Sequence, residues 1–221
     1  MRIAIVGGHG QIARHLHPLL ARAGHTPVAL VRREAYRSEL ERLGAEVRLL
    51  DIEQMQVGAF AEVFEGCAAV VFSAGGGPDG NLERKRTVDL EGALKSIEAA
   101  GRIGISRFVQ VSAIGVDDPL PADTGEVWRA YVEAKRDADA ALRASQLDWT
   151  IIRPGRLTDD PARGLVSLGA DVSADAVPRA DVAAVLAEVL EDPQSIGHQW
   201  NLVTGDDPVP QAVERAATTG R

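Results

Sequence analysis

The chain has 221 residues, 45% of them hydrophobic, and a formal net charge of −8. That size and apolar content suit one domain with a core on both sides of a sheet, and the acidic balance without a long basic run argues against nucleic acid as a partner. A single cysteine, Cys67, excludes an internal disulfide and fits a reducing compartment; no leader pattern precedes the first apolar run and no run reaches transmembrane length, so a cytoplasmic protein without membrane contact is expected.

Residues 3–6 (Ile-Ala-Ile-Val) read as a strand buried on both faces, followed at once by glycines and then by helical spacing at Ile12, Leu16, Leu19 and Leu20. That helix is expected from about 11 to 23, closed by Gly24 and kinked near Pro18. A second strand follows at 27–31, a helix at 34–43 stopped by Gly44, and a third strand at 45–50. A short helix at 57–64 ends at Gly66, and 68–73 makes the fourth strand before the breaker Gly75-Gly76-Gly77-Pro78. A long helix is expected over 82–100, a fifth strand over 107–112, a helix over 126–144 and a sixth strand over 149–153. Beyond Pro154 the alternation loosens, with one short strand at 164–168, a helix at 179–190, a strand at 199–204 and a weak, frayed terminal helix. Alternating strands and helices predict right-handed βαβ units: an α/β doubly wound parallel sheet, one Rossmann-type domain over 1–221.

The strand–glycine turn–helix at the start puts free N–H groups and a helix dipole at one point, which suits a pyrophosphate. Gly7 lets the chain reverse, Gly10 leaves room for phosphate, and Ala13 lets the helix lie close to the strand. The cofactor cradle is therefore expected to run through Gly7, Gly8, His9, Gly10, Gln11 and Ile12, with His9 covering the cofactor. The five histidines show no metal-ligand spacing, and no metal site is expected. Strand two ends in Val31-Arg32-Arg33, where an acid would hold the ribose 2′-hydroxyl of NAD; two guanidiniums match a 2′-phosphate instead, with a solvated basic turn as the plainer reading. Asp51-Ile52 closes strand three, facing the adenine or serving as a helix N-cap. Ser73-Ala74-Gly75 ends strand four in residues small enough for close approach, although turn chemistry selects them too. Arg84-Lys85-Arg86, the densest basic cluster, reads as a solvated helix start.

Ser112 ends strand five, and Tyr131 and Lys135 stand four apart on one face of the next helix. A cation one turn away is expected to lower the phenol's pKa from about 10, while Ser112 hydrogen-bonds a substrate oxygen. Together they form a proton-transfer set beside a hydride carrier.

At this point the chain resembles the short-chain dehydrogenase/reductases, and within them the atypical epimerase/dehydratase subgroup. The resemblance rests on Gly7-x-x-Gly10-x-x-Ala13, Asp51, Ser73-Ala74-Gly75, Val88-Asp89-Leu90-x-Gly92-Ala93, Val111-Ser112, Tyr131-x-x-x-Lys135, Ile152-Arg153-Pro154-Gly155 and Arg179-Ala180-Asp181-Val182. It implies a cofactor along the carboxyl edge of the sheet, with Pro154 among its contacts. It also implies a small substrate pocket built by the loops at about 113–125 and 155–180. The best-known branches carry an asparagine where Asp89 stands; Asp89 holds Lys135 directly or through water but cannot donate as an amide does. Trp128 walls the pocket, or packs in a core or dimer interface.

The reading that follows is an NADP(H)-dependent oxidoreductase acting on a small carbonyl compound, or an epimerase/dehydratase using transient hydride transfer. Tyr131 is its acid/base, Lys135 its electrostatic support, and Ser112 its substrate donor, in a monomer or homodimer. The rival reading is a cofactor-binding regulator like the NmrA-type sensors.

Overall fold

The computed structural model describes residues 1–77 and 80–219; Pro78, in the expected breaker, and the last two residues lie outside them. A nine-stranded sheet runs in the order β11-β8-β10-β6-β5-β4-β1-β2-β3. Its strands are β1 (Arg2–Val6), β2 (Thr26–Val31), β3 (Glu46–Leu49), β4 (Ala69–Phe72), β5 (Arg107–Val111), β6 (Asp148–Pro154), β8 (Leu165–Gly169), β10 (His198–Thr204) and β11 (Asp207–Pro208). From β3 through β10 all pairings are parallel; β8 then pairs antiparallel with β10, and β11 antiparallel with β8. The strand order reverses at β1/β4, the place where a doubly wound sheet opens a crevice at its carboxyl edge.

Two layers cover the sheet because successive side chains of a strand point to opposite faces. Ile3 and Ile5 join the core under α1 (Gln11–Arg22), α7 (Arg179–Glu191) and α8 (Val209–Thr219). Ala4 and Val6 join the core under α3 (Val57–Phe64), α5 (Glu91–Arg102) and α6 (Glu126–Arg143). A third patch under α2 (Arg37–Arg42) contains Leu40, Ala29 and Val47.

Most elements fall where periodicity puts them; helix 57–64 coincides end to end. The expected helix over 34–43 instead begins as a 3₁₀ turn, Glu34–Tyr36, before α2. The expected helix over 82–100 is broken: α4 (Leu82–Arg84) leads into a π-helical turn, Lys85–Leu90, and then α5. Past Pro154, β7 (Arg156–Thr158) and β9 (Ala176–Pro178) form a parallel pair that three-residue segments do not announce. The pair needs a glycine at 155, since a Cβ there would lie 1.8 Å from the Asp175 carbonyl oxygen.

Candidate functional site

At the carboxyl edge, a cleft of about 290 Å³ is lined by Gly7, His9 and Gly10 from the first turn and by Ser73, Ala74 and Gly75 after β4. Arg32, Tyr36, Asp51, Ile52, Glu53, Arg84 and Val88 complete much of its wall. Gly7 has φ +84°, and a Cβ on it would meet the Ala74 backbone at 2.7 Å, so only glycine fits there. Gly8 donates its N–H to Leu30 at 3.0 Å, tying the turn to β2. Buried His17 adds a second tie, its Nε2 2.6 Å from the Gly8 carbonyl oxygen, with burial pulling its pKa below the ordinary 6.5.

Gly10 caps α1 in extended geometry, φ −62° and ψ 155°, without a side-chain hydrogen bond to the helix. The first intrahelical bond of α1 runs from Arg14 to Gly10, so the N–H groups of Gln11, Ile12 and Ala13 face the turn without backbone partners. Such a start on a 12-residue helix is suited to an anion. The donor set and the glycine cradle fit a pyrophosphate. Ile12 contributes only its N–H, because its side chain is 8% exposed and belongs to the core. Gln11 is exposed and reaches Asp159 at 3.4 Å.

The cleft wall formed after β2 and β3, where the adenosine is expected, differs in part from expectation. Arg32 lines the cleft, its guanidinium 3.7 Å from Glu53, while exposed Arg33 caps the 3₁₀ turn and is not part of the wall. Glu53 also lies 3.7 Å from Arg84 and accepts from Thr87 at 3.1 Å. Asp51 combines both of its readings: it lines the cleft, and its Oδ1 accepts the N–H groups of Glu53 and Gln54 at 3.0 and 3.3 Å, in a turn rather than a helix. His9 stacks on Tyr36 with centroids 3.6 Å apart and reaches Glu39 at 3.2 Å. Tyr36 and Glu53 have no counterpart in the sequence reading, and Arg84, expected in a solvated helix start, lines the cleft instead. Pro154 is buried at the end of β6, its carbonyl accepting from Ile114, and does not line the cleft.

Deeper in, Lys135 Nζ lies 3.3 Å from Asp89 Oδ1, with side chains 7% and 1% exposed. Lys135 also donates to the Val111 and Ala74 carbonyl oxygens at 3.2 and 3.5 Å. Burial works against its charge, yet Asp89, then Tyr131 and Asp139, hold its pKa above the ordinary lysine value. Asp89 Oδ2 accepts the Gly76 N–H at 2.8 Å. A Cβ on Gly76 would stand 2.8 Å from the Arg84 carbonyl oxygen and 3.0 Å from that same Oδ2, so this glycine serves the approach to Asp89.

Tyr131 is half-buried, with Lys135 Nζ 6.0 Å from its ring centroid and exposed Trp128 tilted against it at 5.2 Å. Trp128 is thus not a core residue. The expected lowering of the phenol's pKa is reversed in this structure: burial raises it, Lys135 lowers it, and Asp89 and Asp139 add to the rise. A second correction concerns Ser112. Its hydroxyl donates to Asp139 at 2.7 Å, inside a buried cluster in which Asp139 also receives Gln110 at 2.6 Å and Arg153 at 2.7 and 2.9 Å. The hydroxyl proton is engaged there, so Ser112 has none to give a substrate oxygen. The loops 113–125 and 155–180 do meet, around a separate cavity of about 370 Å³ lined by Ile114, Asp117, Arg153, Val172 and Asn201 among others; Tyr131 and Lys135 are not in its wall.

A family model described as NAD(P)H-binding matches residues 7–193, from the first glycine to beyond α7. The chain belongs to the NAD(P)H-binding family. Its sheet order and glycine turn are those of a Rossmann fold. It is 36% identical over 220 residues to the uncharacterized sugar epimerase YhfK of Bacillus subtilis, covering 97% of this chain and 100% of that one. A solved structure from Bacillus halodurans, provisionally assigned as an NAD-dependent epimerase/dehydratase, superposes with a TM-score of 0.90 at 37% identity, covering 97% and 99% of the two chains. A ceramide reductase of Caulobacter vibrioides is 30% identical over 171 residues, 76% of this chain and 51% of that protein. The chain is thus an NAD(P)H-binding protein similar to proteins named as epimerases and reductases. Among the described residues no helix is long and apolar enough to cross a membrane, and no cluster of ligands could hold a metal ion.

Proposed function

We propose that the protein is an NADP(H)-dependent oxidoreductase that reduces a small carbonyl compound. The observation that carries this reading is the Asp89–Lys135–Tyr131 cluster, whose buried Lys135 reaches the carbonyl oxygen of Ala74 in the cleft wall. When bound, the nicotinamide supplies hydride chemistry. The N–H groups of Gln11, Ile12 and Ala13 hold the pyrophosphate, and Arg32 supplies the cation for a 2′-phosphate. Asp89 fixes the Lys135 ammonium in place. Tyr131, kept protonated by burial, is poised as an acid that gives its phenolic proton to a substrate oxygen, and Lys135 steadies the phenolate left behind.

The ceramide reductase among the relatives supports reduction, and the epimerase names support transient oxidation with the same residues. The engagement of Ser112 with Asp139 favours a second reading, a cofactor-binding sensor without turnover. A screen of carbonyl compounds following NADPH absorbance separates the two. An enzyme turns over at least one compound, and Tyr131→Phe slows it by about 10²–10⁴-fold while NADPH affinity holds. A Tyr131→Phe variant with undiminished turnover overturns the assigned acid.

A further inference from the structure

The π-helical turn Lys85–Leu90 carries a second buried charge besides Asp89. Lys85 is 6% exposed. Its Nζ donates to the Gly77 carbonyl oxygen and stands 5.7 Å from the centroid of the Tyr131 ring. No carboxylate among the described residues pairs with it, whereas Lys135 has Asp89. Burying an ammonium costs several kcal/mol unless an anion compensates it, and π turns occur often at functional sites.

The charges around Tyr131 leave an imbalance. Lys85 and Lys135 contribute two positive charges and Asp89 one negative, while the next acid, Asp139, is matched by Arg153 at 2.7 Å. Among the described residues, the cluster therefore holds one unmatched cation. Lys85 begins the turn, one helical turn before Asp89, on the side where the chain arrives from the carboxyl end of β4. Of its three N–H donors, one is used by Gly77. With the Ser112 proton committed to Asp139, Lys85 is, among the described residues, a donor next to Tyr131 with capacity left.

Resting on the reading of Tyr131 as the acid, we propose that Lys85 is a specificity-determining residue that binds a carboxylate of the substrate. A carboxylate brought against Lys85 neutralises the unmatched charge and fills its remaining donors. Because Lys85 stands against the ring of the residue that meets the reacting oxygen, the carboxylate sits close to the reacting carbon. The substrate class is a short oxo acid or its hydroxy counterpart. An uncharged carbonyl compound leaves the ammonium buried and unpaired.

The test uses phenylglyoxylate and its methyl ester, a pair differing in one charge, titrated calorimetrically into the full chain with and without saturating NADP+. The unmodified protein should bind the acid about tenfold or more tightly than the ester, the worth of a charge-assisted hydrogen bond. Lys85→Met should erase that difference while leaving the ester and NADP+ affinities unchanged, and Lys85→Arg should keep most of it. Thermal unfolding confirms that each variant is folded, and Lys85→Gln replaces Lys85→Met if the latter is not. Equal affinity for acid and ester, binding of neither, or an unaltered preference in the Met or Gln variant overturns the proposal. So does a tenfold loss of NADP+ affinity in Lys85→Met, which assigns Lys85 to the cofactor. Failure of the unmodified protein to bind NADP+ counts against the functional reading instead, and the titrations without NADP+ still decide the role of Lys85.

Discussion

Asp89→Ala takes one charge out of a buried pair and leaves the other behind. The Asp89 and Lys135 side chains are 1% and 7% exposed and 3.3 Å apart, so little water replaces the lost carboxylate. Gly76 also loses the acceptor of its 2.8 Å hydrogen bond. Removing one partner of a buried pair costs about 3–5 kcal/mol. Lys135 keeps the Val111 and Ala74 carbonyls, which places the expected loss near the lower end, about 3 kcal/mol. For a domain of this size that lowers Tm by about 6–12 °C. Urea and thermal unfolding measure it, with Asp89→Ala/Lys135→Met as the control: removing both charges should restore most of the loss. A single-variant cost below about 1 kcal/mol would be the value of a solvated pair and would refute the buried cluster. The same substitution has a spectroscopic readout. The chain has two tyrosines, so a Tyr36→Phe background isolates Tyr131 in ultraviolet difference spectra. Its phenol should titrate above the ordinary value of 10 and move down when the Asp89 charge is removed.

Two further outcomes follow from the cleft and its turn. Arg32→Ala should reduce a preference for NADPH over NADH by about ten- to a hundredfold in fluorescence titrations, whereas Arg33→Ala, outside the cleft wall, should leave it nearly unchanged; equal effects would place the 2′-phosphate elsewhere. Burial lowers the pKa of His17 below 6.5, so the unfolded chain takes up that proton first. Its contribution to stability is complete above about pH 6.5 and is lost as pH falls from there toward the folded-state pKa. His17→Asn should flatten the unfolding free energy between about pH 6.5 and 5, and an unchanged slope would show that His17 does not titrate with folding.

How much of this was legible in the chain follows from the range of the interactions involved. β1, its glycine turn and α1 are local: thirteen residues contain the buried run, the positive-φ glycine and the uncapped helix start, so their order alone signals the anion site. Tyr131 and Lys135 share a face because 3.6-residue periodicity puts them there, and the doubly wound order follows from alternating patterns. The sequence could equally name Arg32, Arg33 and Ser112, but not choose among them. Only the tertiary structure turned Arg32 into the cleft and left Arg33 outside it, and only Asp139, twenty-seven residues away, drew the Ser112 hydroxyl inward. The stack of His9 on Tyr36, the β7–β9 pairing and the contacts of Asp89 and Lys85 across to α6 are likewise meetings of segments distant in the chain. Lys85 itself read as part of a solvated basic cluster because charge pattern reports composition, whereas burial depends on what packs above it. Periodicity settles which face a side chain occupies; which hydrogen-bond partner or charge waits on that face is decided when the sheet brings the elements together.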